Sequence, residues 1–372
     1  MSSDQIVIAG FGSSEITRKS DRSIVSFAVD AIVDALSDAH LSRDEIDGFV
    51  GAPFATNDGS PHAEGGDEIS LPTVASAMGL KNLRYGADLY RRYPTDMVSF
   101  AAHALQAGTC RYVLGLRAMY NLQGINYAAK DTQVAYGNAQ FTKPFAYTSA
   151  GARFGARAQR YMAQYGVTRT DLYEVVALSR RHAADNPLAV WRDKQVSLDD
   201  YLAAPMIASP HGLFDCDMPV CGAAAFIMCR QEDLPKDASA ALVSGWGGFQ
   251  TPEAVFEMSG RTVKDVASCQ LYDGFSTMIY QWLEGFGFCA QGAAWKFIRD
   301  GKANRDGILP INTFGGSLGE GRLHGMGQLR EAYFQATGKA GARQLPNPGP
   351  CLVQVGPFDD SSFVMIEPAP AH

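Results

Sequence analysis

Asn312 to Tyr333 reads NTFGGSLGEGRLHGMGQLREAY, six glycines and one histidine between a strand-like run and a helix-like run. Glycine at that density lets a chain turn through positive φ and lets backbone approach a ligand closely. The stretch therefore predicts a tight loop with Arg322 and His324 at its tip, Gly315, Gly316 and Gly325 near the ligand, and Asn312 placed either to hold a water or a carbonyl oxygen or to cap the end of a strand. The helix expected from about Gln328 would aim backbone N–H groups and its positive end at the same place. Gly315 to Gly319 also matches the spacing of a serine-hydrolase nucleophile elbow. That motif needs a helix directly after the serine, then an acid and a histidine. Leu318 to Gly327 delay the helix, and the chain beyond, with Asp359, Asp360 and His372, is too short to finish a hydrolase sheet around Ser317.

Working outward, 372 residues with 46% hydrophobic and 19% charged side chains describe a folded chain able to bury the core of two lobes. A net charge of −7, with Arg91-Arg92 and Arg180-Arg181 as isolated basic pairs, argues against a nucleic-acid partner. No apolar run reaches membrane-spanning length, and the start MSSDQIVIAG lacks the layout of a signal peptide, so a cytoplasmic protein with no membrane partner is expected. Seven cysteines without a CxxC pair predict reduced thiols, no disulfide framework and no metal site.

Strand and helix signals alternate along the chain. IVIAGFG (Ile6 to Gly12) reads as a buried strand, and the apolar spacing of SIVSFAVDAIVDALSDAH as an amphipathic helix. Ser42 and Glu45 form a capping-box pattern. GFG at residues 10–12 hints at a dinucleotide fold, but the third glycine and the later acidic residue do not fall in place. A small-residue helix stops at Gly108, two helices run from Gly151 to Ala184, and VCGAAAFIMCR forms another strand. LVSGWGGF restarts the pattern, with ILPINTFGG, CLVQVGPF and FVMIEP as later strands. This is an α/β chain of two related halves, residues 1–235 with an inserted helical region and residues 236–372.

Three segments resemble the thiolase superfamily. SLDDYLAAPMIASPHGLFDCDMPVCGAAAFIM is similar to its segment ending in an Asp-Gly-Ala-Ala strand, with Cys221 where Asp is usual. QLYDGFSTMIYQWLEGFGFC resembles the His-Asp-Cys-Phe-Ser segment of sterol-carrier-type thiolases, with Tyr272 replacing the histidine. NTFGGSLGEGRLHGMGQLREA resembles their Gly-His-Pro-x-Gly segment, with Arg322 at the histidine's place and a His-Gly-Met typical of the lipid-transfer-protein branch. The resemblance implies a thiolase-like fold, two βαβαβαββ halves in five αβαβα layers. It also implies a homodimer, an acyl-CoA substrate with no further cofactor, and a small partner combining an OB-fold and a zinc ribbon.

The departures bear on the reaction. A condensing thiolase needs a thiolate nucleophile. Its place falls near Arg91, where no cysteine stands; Cys110 reads as a packing residue. The second thiolase cysteine would fall near Gln354, and Cys351 lies three positions early. A kept site without its nucleophile points to the aldolases of this branch, which cleave 3-hydroxyacyl-CoA side chains of steroids through a thioester enolate. Such a reaction needs a base for the hydroxyl proton and positive dipoles or charge for the enolate. Tyr272 is the acid/base candidate, made more acidic by Arg322 if that guanidinium lies beside it. Arg322 stays protonated and suits an oxyanion or a CoA phosphate. His324 can change charge near neutral pH or simply fix the turn. Tyr90, Arg91 and Tyr93 would line the floor, while Asp273, Asp359 and His182 read as structural. Two alternatives remain open, an unorthodox thiolase acting on a 3-ketoacyl-CoA and a non-catalytic acyl-CoA- or sterol-binding subunit.

Overall fold

The computed structural model describes residues 5–51, 69–89, 92–121, 135, 137–145, 147, 149–248, 251–358 and 360–370. In chain order the first half runs β1 (Ile6–Ser13), α1 (Ile24–Asp38), β2 (Gly48–Gly51), α2 (Leu71–Met78), β3 (Tyr85–Asp88), α3 (Pro94–Gln106) and β4 (Val113–Met119). An insertion follows, α4 (Ala150–Tyr165), α5 (Arg169–Ala183), α6 (Leu198–Ala203) and the hairpin β5 (Met206–Ala208) with β6 (His211–Gly212), before β7 (Gly222–Arg230). The second half is β8 (Ala241–Gly247), α7 (Glu253–Ser259), β9 (Ser268–Leu271), α8 (Met278–Gly285), α9 (Ala294–Arg299), α10 (Gly316–Glu320), α11 (Met326–Thr337), β10 (Cys351–Val355) and β11 (Ser362–Pro368). Among the described residues no helix is long and apolar enough to cross a membrane.

Among the described residues nine strands pair in the order β3-β2-β4-β7-β1-β8-β11-β10-β9. The order repeats about its centre. β4 is parallel to β2 and antiparallel to β7, as β10 is parallel to β9 and antiparallel to β11. β7 pairs antiparallel with β1, as β11 does with β8, and β1 and β8 join the halves antiparallel through Ile6–Val243. The pattern thus restarts after the 231–240 connection. α3 packs on β2, β4 and β7 and also on β8, β10 and β11. In a flat sheet β2 and β10 would stand about 29 Å apart, beyond the roughly 20 Å that a 13-residue helix spans. The two halves therefore fold toward each other, and α3 and α11 form the layer between them, with α1 and α2 outside the first half and α7 outside the second. β1, β4, β7 and β10 are buried almost throughout, which explains their unbroken apolar runs.

One expected strand is absent. ILPINTFGG is reduced to a single bridge, Cys269 to Ile311. Pro310 has no N–H to give a ladder, and Asn312 turns the chain at φ 46°. Its side chain replaces the missing strand partner: Leu271 N–H donates to Asn312 Oδ1 at 2.7 Å, and Asn312 Nδ2 donates to the Leu271 carbonyl at 2.8 Å.

Candidate active site

The segment 215–222 lies between the Tyr272 loop and the glycine-rich loop and ties them together. Asp217 N–H donates to the Gly274 carbonyl at 3.1 Å, and Arg322 N–H to the Met218 carbonyl at 2.9 Å. Gln354, at the place of the second thiolase cysteine, holds Tyr272 instead: its carbonyl and its Oε1 both accept from the Tyr272 N–H at 3.1 Å. The three segments enclose a cavity of about 150 Å³ whose lining includes Tyr93, Asp217, Tyr272, Arg322 and His324, with Arg153, Phe154, Phe275 and Met278 toward the insertion. No cysteine is among the lining residues. Cys110 and Cys351 are buried elsewhere, their thiols pushed up by burial to about 11 and about 12. Among the described residues, no three His, Cys, Asp or Glu side chains converge as a metal site would require.

Asp217 sits between the two leading candidates. The Tyr272 hydroxyl donates to Asp217 Oδ2 at 3.4 Å, and Arg322 Nε lies 3.6 Å from the same oxygen. Burial pushes the Asp217 carboxyl up to about 6, against the pull of Arg322 and of the tyrosine hydroxyl. Arg322 and Tyr272 thus meet at one carboxylate oxygen, with the guanidinium's ion pair going to Asp217.

His324 is held in the left-handed region at φ 52°, an uncommon conformation for a residue with a side chain. Its ring packs edge-on to Tyr272, centroids 5.7 Å apart, and lies 5.4 Å from that of Tyr93. Arg117, an arginine within the buried strand β4, donates from Nη2 to His324 Nδ1 at 2.6 Å. Burial, with Arg117 and Arg322 nearby, holds the imidazole well below its usual range, so it is neutral. A neutral ring that accepts at Nδ1 carries its proton on Nε2. His324 is therefore a hydrogen-bond donor to the cavity across the neutral range, which favours the second of its two sequence readings, a ring that stays uncharged and holds the turn. Arg117 itself, lowered to about 10 by burial and by Arg322, stays cationic behind it.

Other expected site residues are placed elsewhere. The Asn312 amide is engaged by Leu271, and His182 Nδ1 donates to the Ile311 and Asn312 carbonyls, locking that corner. The glycines answer to protein packing: a Cβ on Gly315 would meet Ala183 at 2.7 Å, on Gly316 Asp273 Oδ2 at 2.1 Å, and on Gly325 Val355 at 2.4 Å. Asp273 accepts from the Ser317 and Leu318 N–H groups at 2.7 and 3.2 Å and so caps α10, the structural part expected of it. Ser317 is buried beneath it and does not line the cavity, which ends the hydrolase reading. Tyr93 lines the cavity; Tyr90, Arg91 and Asp359 lie outside the described residues. Sequence reasoning missed Asp217 and Arg117. A charge inside the apolar run VLGLRAM was a legible signal for Arg117; Asp217 carried none of its own.

Comparison with known proteins agrees with this geometry. Residues 249–366 match the thiolase C-terminal domain-like family. The chain is 30% identical over 370 residues to a 17-hydroxy-3-oxo-4-pregnene-20-carboxyl-CoA lyase of Mycobacterium tuberculosis, covering 91% of this chain and 93% of that one. It is 30% identical over 360 residues to a steroid side-chain-cleaving aldolase of Thermomonospora curvata, covering 87% and 88%. A solved Ltp2-ChsH2(DUF35) aldolase superposes with a TM-score of 0.85 at 28% identity over 98% of both chains. The chain belongs to the thiolase superfamily, in the sterol-carrier-type branch that includes the side-chain-cleaving aldolases.

Proposed function

We propose that this chain is a CoA-thioester carbon–carbon lyase that cleaves a 3-hydroxyacyl-CoA by a retro-aldol step, releasing a shorter acyl-CoA and a ketone or aldehyde. One observation carries the reading: a thiol-free cavity joins a proton-transfer group, Tyr272 on Asp217, to two oxyanion donors, His324 and Arg322. The Tyr272 hydroxyl takes the proton of the substrate's 3-hydroxyl, the Cα–Cβ bond breaks, and its electron pair passes into the thioester as an enolate. His324 Nε2–H and the Arg322 guanidinium stabilise the enolate oxygen as charge develops there. An acyl-enzyme has no sulfur at this cavity to form on, which disfavours the thiolase alternative.

The cavity is small enough to hold only the reacting carbons and the thioester. The bulk of a large acyl group, a steroid among the candidates, would rest at its mouth against Phe154 and Phe275, whose rings stack 5.0 Å apart. α4 continues from there to a second cleft lined by Arg157, Arg160, Tyr161, Tyr165 and Phe358. In a chain of net charge −7 these arginines supply the local positive charge that CoA phosphates need. β3 ends the strand order, so a second copy pairing edge to edge would form the expected homodimer. The resemblance to a two-component aldolase supports a small OB-fold and zinc-ribbon partner. The test is incubation of the chain with that partner and 3-hydroxyacyl-CoA thioesters, following shorter acyl-CoA by chromatography. Binding without product would sink the lyase reading and favour the non-catalytic subunit; cleavage of 3-ketoacyl-CoA with free CoA would favour the thiolase.

A further inference from the structure

Tyrosine is a weak base at neutral pH, since its phenol ordinarily ionises near 10. The proton that Tyr272 takes from a substrate hydroxyl needs a place to go. Asp217 is 3.4 Å from that hydroxyl, lines the same cavity, and is held in place through its own N–H on Gly274. Its carboxylate is buried, and the structure gives it a long contact from Tyr272 and a long ion pair with Arg322, without the close bidentate grip of a structural arginine–carboxylate pair. Two other buried carboxylates are gripped: Glu331 accepts from Arg343 Nε and Nη2 at 3.1 and 2.9 Å, and Asp215 accepts from Tyr201, Ser276 and the Gly212 N–H. An underbonded carboxylate in a cavity is suited to receive a proton.

We infer that Asp217 is the terminal proton acceptor of the reaction, and that the Tyr272 hydroxyl relays the proton between it and the substrate. The inference rests on the retro-aldol reading. In the forward step the substrate O–H proton passes to Tyr272 Oη as the tyrosine's own proton passes to Asp217. The O–H pair becomes the new C=O bond, and the Cα–Cβ pair becomes the enolate. The proton then returns along the same path to Cα, giving the shorter acyl-CoA and restoring Asp217 as a carboxylate. No water, oxidant or metal enters the balance.

The groups that set the charge of Asp217 are Tyr272 and Arg322 in contact, Asp273 as the next carboxylate, Cys216 beside it in the chain, and Arg153 and His324 across the cavity. Asp273 and Arg322 oppose each other, and burial dominates. The base is active when ionised, so kcat/KM should fall about tenfold per pH unit on the acid side of a midpoint near 6. His324, neutral throughout, adds no second limb.

The experiment compares wild type, Asp217→Asn and Asp217→Glu in complex with the small partner, measuring pH profiles of kcat/KM, CoA-ester binding and thermal unfolding. Asp217→Asn should lose about 10²–10⁴-fold in kcat, bind substrate as before, and show residual activity that climbs with pH and has no limb near 6. Asp217→Glu should keep a limb, displaced. A wild-type limb near 6 that survives unchanged in Asp217→Asn, or a loss below tenfold, overturns the assignment while leaving the lyase reading intact. A wild type that cleaves no 3-hydroxyacyl-CoA overturns the lyase reading and this inference with it. Should Asp217→Asn fail to fold, the Asp217→Glu profile decides: an unmoved limb counts against Asp217, a displaced one for it.

Discussion

Glu320, the last residue of α10, and Arg322, two positions on in the loop that follows, form ion pairs that differ in kind. Glu320 is fully buried, bonded to Arg330 on α11, with Asn186 Nδ2 donating to it at 2.8 Å. Arg322 reaches Asp217 at 3.6 Å across the wall of a cavity. The first pair fastens α10 to α11 and to the end of the α5 segment, and so fixes where the loop tip lies. The second is slack on the same tip. A tight pair shut away from any cavity acts as scaffold, whereas a long one on a cavity wall leaves its carboxylate open to a proton near the working pH.

That contrast can be broken at either end. Arg330→Met would leave a buried carboxylate with Asn186 alone, and urea unfolding should show a loss of about 3–5 kcal/mol. A loss below about 1 kcal/mol would deny the scaffold role. Tyr272→Phe should lower kcat about a thousandfold, roughly 4 kcal/mol of barrier, with unfolding free energy little changed, because the backbone of residue 272 is held by Gln354. Equal activity of the two proteins would remove the tyrosine from the chemistry. Asn312→Ala leaves the Leu271 N–H without its partner and its carbonyl with only the 3.5 Å bond from Gln328 Nε2, so stability should fall by about 1–3 kcal/mol while KM holds steady; a raised KM with intact stability would return Asn312 to the substrate. The smallest effect expected is on the pH profile of Arg322→Met, a variant that also loses one oxyanion donor and with it about 10²-fold in kcat. The guanidinium lowers the Asp217 pKa, so its loss leaves burial less opposed, and the acid limb of kcat/KM should move up from near pH 6 by about one unit. A limb that moves down, or stays, would show that the slack pair does not tune the base.

Much of the fold was legible because local signals agreed with it. α1 follows its apolar spacing, Ser42 and Glu45 form the expected capping box, and LVSGWGGF does restart the strand pattern as β8. The Gly315–Gly327 run was read as a tight loop; residues 321–325 form one, but residues 316–320 are the short helix α10 and α11 already begins at Met326. Its glycines, however, make room for Ala183, Asp273 and Val355, neighbours that no sequence spacing announces. The site was legible in its types more than in its wiring. Tyr272, Arg322, His324 and Tyr93 do line one cavity, but Asp217 stands 55 positions from Tyr272, and only the threading of 215–222 between two loops joins them. The lost strand at ILPINTFGG failed for a related reason: the sequence offered Asn312 as a strand-end cap or a ligand contact, and only the fold shows that its amide takes the place of a neighbouring backbone.

That amide has a consequence for assembly. At one margin of the sheet, beyond β9, the ladder is stopped by the Ile311 bridge and by Asn312 holding both polar groups of Leu271. At the other margin, among the described residues, β3 has no outer neighbour. A sheet sealed along one border can take on a further strand only at the other, which confines any edge-to-edge growth to a single side.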